Sequence, residues 1–105
     1  MTVPQVESRV IRGVPVGSSR EEVEKWLDLQ GFGSYYLAAS EYELKYESSV
    51  HDAGLDPDSL GGIVTAMIPD TDRSFMVQGS IRLNFFLDKE GKTVKHLVKW
   101  VGTGP

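Results

Sequence analysis

Residues 75–101 read FMVQGSIRLNFFLDKEGKTVKHLVKWV, and this stretch decides the fold. Val77, Ile81, Leu83, Phe85 and Leu87 fall at odd positions, with Ser80, Arg82, Asn84 and Phe86 between them. A period of two marks an antiparallel strand with one face packed and one wet. After Asp88-Lys89-Glu90-Gly91 the alternation resumes, with Val94, His96, Val98 and Trp100 on one face. The whole reads as a long β-hairpin.

Its register follows from which residues must share a face. A three-residue loop at Lys89–Gly91 sets Phe85 against Lys95 and Ile81 against Lys99, which puts two lysines on the apolar side. A one-residue slip turns every side chain over, so that register is rejected. A four-residue loop at Asp88–Gly91 pairs Leu87 with Lys92, Phe85 with Val94, Leu83 with His96 and Ile81 with Val98. It is the register expected, with Gly91 in the left-handed conformation and the Asp88 side chain capping the turn's N–H groups.

Working back along the chain, Ser18–Gln30 is the clearest helix. Ser18 with Glu21, or Ser19 with Glu22, fits a capping box, and Val16 is placed as a staple residue. Glu21, Glu22 and Glu24 sit at the positive end of the helix dipole, as a solvated first turn. Val23, Trp26, Leu27 and Gln30 share one face. Gly31 followed by Phe32 reads as a glycine stop in which the phenylalanine folds back on Leu27. Ahead of this helix, Met1–Ser8, broken by Pro4, reads as a flexible arm. Arg9–Val16 reads as a lead-in that tucks its valines and isoleucine beneath the helix.

Between helix and hairpin the pattern weakens. Glu41–Glu47 alternates polar and apolar residues and is expected to be a strand; a helix through Leu37–Lys45 is the competing reading, disfavoured because it scatters Tyr42, Leu44 and Tyr46 around its circumference. Ser48–Gly62 reads as loop, Ile63–Ile68 as a short strand ended by Pro69, and Asp70–Ser74 as the turn into the hairpin. The expected fold is therefore α+β: a single two-layer domain over residues 1–105, one or two N-terminal helices on one face of a four-stranded antiparallel sheet.

Composition narrows the function classes. The 105 residues are 40% hydrophobic and 25% charged, ordinary for a folded globular chain. A formal net charge of −4 with dispersed lysines and arginines argues against nucleic acid as partner. Absence of cysteine removes disulfides, thiol catalysis and cysteine-based metal sites. No apolar run approaches the ~20 residues that span a bilayer. Met1–Glu7 shows neither a signal peptide's basic start nor its apolar core; the chain as written reads as cytoplasmic, and as envelope-associated if a leader has been removed.

Catalytic motifs are weak. His51-Asp52 resembles a base and its orienter, but no serine, cysteine or lysine is placed beside it by any motif. His96 shares a face with Val94, Val98 and Trp100 and reads as a structural histidine. The aspartates at 52, 56, 58, 70 and 72 lack the EF-hand spacing and read as turn formers. Gly61-Gly62 lacks the lysine and helix of a phosphate loop. No cofactor, metal site or catalytic residue is expected. The surface singled out instead is the outward face of the hairpin, where Arg82, Asn84, Phe86, Lys95, Leu97 and Lys99 set an aromatic anchor among cationic and amide groups, a composition suited to binding another protein.

Gly13-Val-Pro-Val-Gly-Ser-Ser-Arg-Glu-Glu-Val23, with Trp26-Leu27 and Gly31, resembles the opening of the outer-membrane-assembly lipoproteins of the SmpA/OmlA-like family. The hairpin Leu83-Asn-Phe-Phe-Leu-Asp-Lys-Glu-Gly-Lys92 resembles the one those domains share with the β-lactamase-inhibitor-protein fold. The ending from Val98 to Pro105 is similar to small bacterial proteins of the same architecture. The lipobox cysteine of the lipoproteins is absent, and Leu87 stands where that family often has phenylalanine. The resemblance implies helices on one face of an antiparallel sheet, and work by binding protein. The expected function is a non-catalytic protein-binding module, an assembly or envelope-associated accessory factor; the alternatives are an inhibitor or immunity protein whose sheet covers another enzyme's site and, last, a small hydrolase using His51 or His96.

Overall fold

A computed structural model describes residues 3–40, 44, 47–69 and 79–102. The element order is α1 (Val3–Gly13), α2 (Arg20–Leu29), β1 (Ser34–Ala38), α3 (Ser48–Ala53), a single 3₁₀ turn (Pro57–Ser59), β2 (Leu60–Pro69), β3 (Gly79–Asp88) and β4 (Thr93–Gly102). The four strands form one antiparallel meander in the order β1-β2-β3-β4. The architecture is the expected α+β one, with α1 and α2 packed on one face of the sheet.

Local chemistry explains α2. Ser19 and Glu22 form a reciprocal capping box, with Glu22 N–H donating to Ser19 Oγ at 3.2 Å and Ser19 N–H donating to Glu22 Oε1 at 3.1 Å. At the other end Gly31 takes a φ of +80°, and the N–H groups of Gly31 and Phe32 donate to the carbonyls of Asp28 and Leu27. That pair of bonds is a Schellman ending. Val23 and Leu27 are buried against the sheet.

The expected arm at Met1–Ser8 is instead the start of α1, described from Val3 onward. Pro4 lies in the first helical turn, where a missing N–H breaks no intrahelical bond. Val6 and Val10 recur at helical spacing and are fully buried, with Val3 packed at the edge of the same cluster. With Val14, Val23 and Leu27 they cover Val64, Ala66 and Ile68 of β2 and Ile81, Leu83, Phe85 and Leu87 of β3.

The hairpin register corrects the sequence reading. The loop is the rejected three-residue one: Asp88 N–H donates to the Lys92 carbonyl at 2.8 Å, and Leu87 pairs with Thr93. The ladder then shifts so that Phe86 pairs with Lys95, which leaves Val94 as a bulge. One extra residue restores the faces that the short loop alone would have inverted. Phe85 thus meets His96, Leu83 meets Val98 and Ile81 meets Trp100, with no lysine on the core side. Gly91 has the expected positive φ, +81°, and Asp88 Oδ1 accepts from the N–H groups of Glu90 and Lys92. Thr93 ties this turn to the entry of α2: its N–H donates to the Ser18 carbonyl, and its hydroxyl oxygen accepts from Gly17 N–H.

Two further expectations change. The strand in the Gly33–Glu47 segment lies at Ser34–Ala38, whereas the alternation at Glu41–Glu47 falls, apart from buried Leu44 and from Glu47, outside the described residues. Residues 70–78, expected to hold the turn and the first residues of the hairpin, also lie outside them. Ser48–Gly62 is not all loop: it contains α3, the 3₁₀ turn and the start of β2. In α3, Val50 and Ala53 face inward, Gly54 caps the helix at φ +71°, and Leu55 N–H donates back to the Val50 carbonyl. The helix lies on the face opposite α1 and α2, where Leu44, Val50, Ala53, Leu60, Ile63 and Phe86 form a second buried cluster.

Candidate functional site

The six residues singled out on the hairpin do share one face. Arg82 stands opposite Lys99, Asn84 opposite Leu97 and Phe86 opposite Lys95. That face, however, carries α3. Phe86 has 0% of its surface exposed and packs in the second cluster, so it is a core residue and not an aromatic anchor in solvent. Lys95 donates from Nζ to the Ala53 carbonyl at 2.6 Å, at the C-terminal end of α3, where cations are favoured. Lys99 pairs with Asp52 Oδ2 at 3.1 Å, on the same helix. Both lysines therefore hold α3 to β4.

Asn84 is 3% exposed, and its Oδ1 accepts from Thr65 Oγ1 at 2.9 Å across the β2–β3 pair. Arg82 is half-buried, and its Nε is buried without a hydrogen-bond partner among the described residues. Such a donor carries a desolvation cost of about 1–3 kcal/mol and calls for an explanation.

These residues line a cleft of about 340 Å³ between α3 and the ladder of β3 with β4. Ser48, Ser49 and Asp52 contribute from α3; Arg82, Asn84, Leu97 and Lys99 contribute from the strands. Sequence reasoning placed Arg82, Asn84, Leu97 and Lys99 here but missed Trp100 and Val101, which also line the cleft, and the three residues from α3, because that segment reads as loop. The signal that finds the α3 residues is the spacing of Val50 and Ala53 ahead of Gly54-Leu55, an apolar pair with a glycine stop.

The histidines do not combine. His51 rides on α3, on one side of the sheet, while His96 faces the α1–α2 side opposite Phe85. The Asp52 carboxylate is engaged by Lys99. Among the described residues no three histidine, aspartate or glutamate side chains converge as metal ligands, and no helix is long and apolar enough to cross a membrane. β4 is an edge strand, and its exposed Lys95 and Lys99 discourage indiscriminate strand addition.

No protein-family model matches the chain, and no solved structure matches it. Its own geometry therefore carries the functional argument. An arginine with an unpartnered N–H, a neighbouring lysine and a buried amide can bind and orient an acceptor group.

Proposed function

We propose that the chain is a non-catalytic protein-binding module whose partner docks over the α3 face, at the cleft that contains Arg82. The observation that carries this reading is the buried, unpartnered Arg82 Nε at a surface cleft, since interface hot spots favour arginine in desolvated settings. The helix-opening and hairpin motifs that resemble the outer-membrane-assembly lipoproteins support an accessory role in envelope assembly. The separation of His51 from His96 by the sheet supports a binding role over hydrolysis. An inhibitor that works by laying bare sheet over another enzyme is disfavoured, because α1 and α2 pack on one face and α3 packs on the other.

A photo-crosslinking residue placed at exposed Ser48, beside the cleft, tests the reading against the same residue at Leu29, which is 74% exposed on α2. In lysate of cells that make the protein natively, one discrete protein adduct is expected from position 48 and none from position 29. No adduct at 48, or the same adducts from both positions, would overturn it.

A further inference from the structure

We infer that the cleft between α3 and the β3–β4 ladder is a carboxylate-binding site, with Arg82 as the binding fork and the Asn84 amide beside it. The inference rests on the protein-binding reading and says which chemical group of the partner enters the cleft. Three observations lead to it.

The first is the orphaned donor. The neighbouring groups of the candidate face are engaged: Asn84 Oδ1 accepts from Thr65, Lys95 reaches the Ala53 carbonyl, and Lys99 holds Asp52. Arg82 Nε is buried and has none among the described residues. A guanidinium carries five donors in a planar fork that matches two oxygens of one anion, and Nε is one of the two donors in the side-on arrangement. Arg82 lines the cleft while its Nε is closed to solvent, so an acceptor reaches this donor when the guanidinium turns toward the cleft, and binding then recovers a cost that folding incurred.

The second is the charge balance. Arg82 and Lys99 are cationic and Asp52 is anionic, and all three line the same cleft. The sum is a single positive charge, because Asp52 already neutralises Lys99 at 3.1 Å. A carboxylate, with one negative charge, balances that sum. A phosphate dianion overshoots it, and the chain's net charge of −4 further disfavours polyanions.

The third is size and lining. A volume of about 340 Å³ lies at the small end of ligand sites and holds one or two residues of a peptide. Leu97 supplies an apolar wall, and Asn84 lines the cleft beside Arg82. The carboxylate has two possible sources in a protein partner, an acidic side chain or the chain's C-terminus, and both present the same two oxygens.

Titration of the folded full chain with defined probes, followed by the ¹H–¹⁵N signal of Arg82 Nε, tests the site without the natural partner. The probes are an end-blocked glycine tetrapeptide bearing one glutamate, a glycine–valine tripeptide with a free C-terminus, the amidated uncharged counterparts of both, and inorganic phosphate. A saturable shift of the Arg82 Nε signal is expected with at least one carboxylate peptide and not with its uncharged counterpart. Whichever peptide binds more tightly identifies the source. Arg82→Lys, which keeps the charge and loses the fork, is expected to weaken that binding roughly tenfold. No saturable shift from either carboxylate peptide, tighter binding of phosphate than of both peptides, or undiminished binding by Arg82→Lys in a protein with an unchanged amide spectrum would each overturn the inference. Because these probes are free peptides, a negative result here leaves the crosslinking outcome at Ser48 independent, and the two failures can be told apart.

Discussion

Trp26 lies directly over Gly13: a β-carbon built at residue 13 would fall 2.0 Å from the indole Nε1. The indole also meets Phe32 edge-on, at 6.5 Å between ring centres. Gly13 ends α1, Trp26 belongs to α2, and the absence of a side chain at residue 13 is what lets the two helices meet.

Gly13→Ala therefore sets two effects against each other. Alanine is favoured over glycine in a helix by about 1 kcal/mol. Displacing a ring trapped beside Phe32 costs about 1–3 kcal/mol, as overpacking does. The clash is expected to win in the parent protein, lowering the urea midpoint. In a Trp26→Ala background the same change should become neutral or stabilising. A raised midpoint in the parent would show that the indole swings aside without cost.

The capping box at α2 makes a pH prediction. The Ser19 backbone N–H, then the Ser19 hydroxyl, hold the Glu22 carboxyl below the ordinary glutamate range, with a smaller contribution from the charge of Lys92 and against a small opposing effect of burial. A carboxyl whose pKa is depressed on folding binds more protons in the unfolded state. Its stabilising contribution is thus complete above the unfolded value of about 4.3 and is lost as pH falls through the folded one. The midpoint difference between the parent and Glu22→Gln should stay constant from neutral pH down to about 5 and shrink below about 4. Parallel curves over that whole range would rule the linkage out.

Phe86→Ala is expected to cost about 3–5 kcal/mol, the usual range for emptying a buried phenylalanine site. Its ring is completely enclosed among Ile63, Leu60, Val50 and Ala53 of the second cluster. Leu97→Ala, at the half-buried margin of the same cluster, should cost less. Urea unfolding of the two variants checks the order; a Phe86→Ala protein as stable as its parent would mean that α3 does not cover the sheet.

What was legible in the sequence is what local chemistry determines. The Ser19–Glu22 box, the Val23–Leu27 stripe and the Gly31 stop all act within α2, so its ends and inward face could be read directly. The faces of β3 were legible for the same reason: residues 81, 83, 85 and 87 do line the main core. Alternation assigns only a face, however. Registers that differ by two residues keep every side chain on its side, so Phe85 opposite Val94 and Phe85 opposite His96 were indistinguishable from pattern alone. α3 was hidden because six residues are too few to show a helical period, and its stability comes from the contacts of Val50 and Ala53 with the distant Phe86 and Ile63. The adjacent pair Phe85-Phe86 was the available hint that both faces of the sheet are covered there. At the candidate site, Arg82 and its neighbours were placed on one face correctly, but their separate roles were not legible. Those roles depend on α3, which turns Lys95 and Lys99 into its own tethers and leaves Arg82 over.

The bulge supplies the last prediction. Leu87 pairs with Thr93 and Phe86 with Lys95, so Val94 has no partner in the ladder, and it is 39% exposed. A variant lacking Val94 joins Thr93 directly to Lys95 and makes the ladder continuous. Every pair from Phe86–Lys95 to Gly79–Gly102 is kept, as are the hydrogen bonds that tie Thr93 to Pro15, Gly17 and Ser18. Deleting one residue from β4 at this position should therefore cost less than about 2 kcal/mol, mainly lost twist and the small contacts of one half-exposed valine. A variant lacking Leu97 has the same length but no such escape. If the bulge closes to absorb the loss, Lys95 takes the place of His96 opposite Phe85, on the core side; if it stays open, Val98 and Trp100 change faces. Either way the faces of one half of β4 are inverted, a loss of more than about 3 kcal/mol for a strand packed on both sides. Urea midpoints, with amide-exchange protection along β4 to confirm the pairing, separate the two deletions. Equal losses from both would mean that Val94 does more than take up the residue that the three-residue turn leaves over.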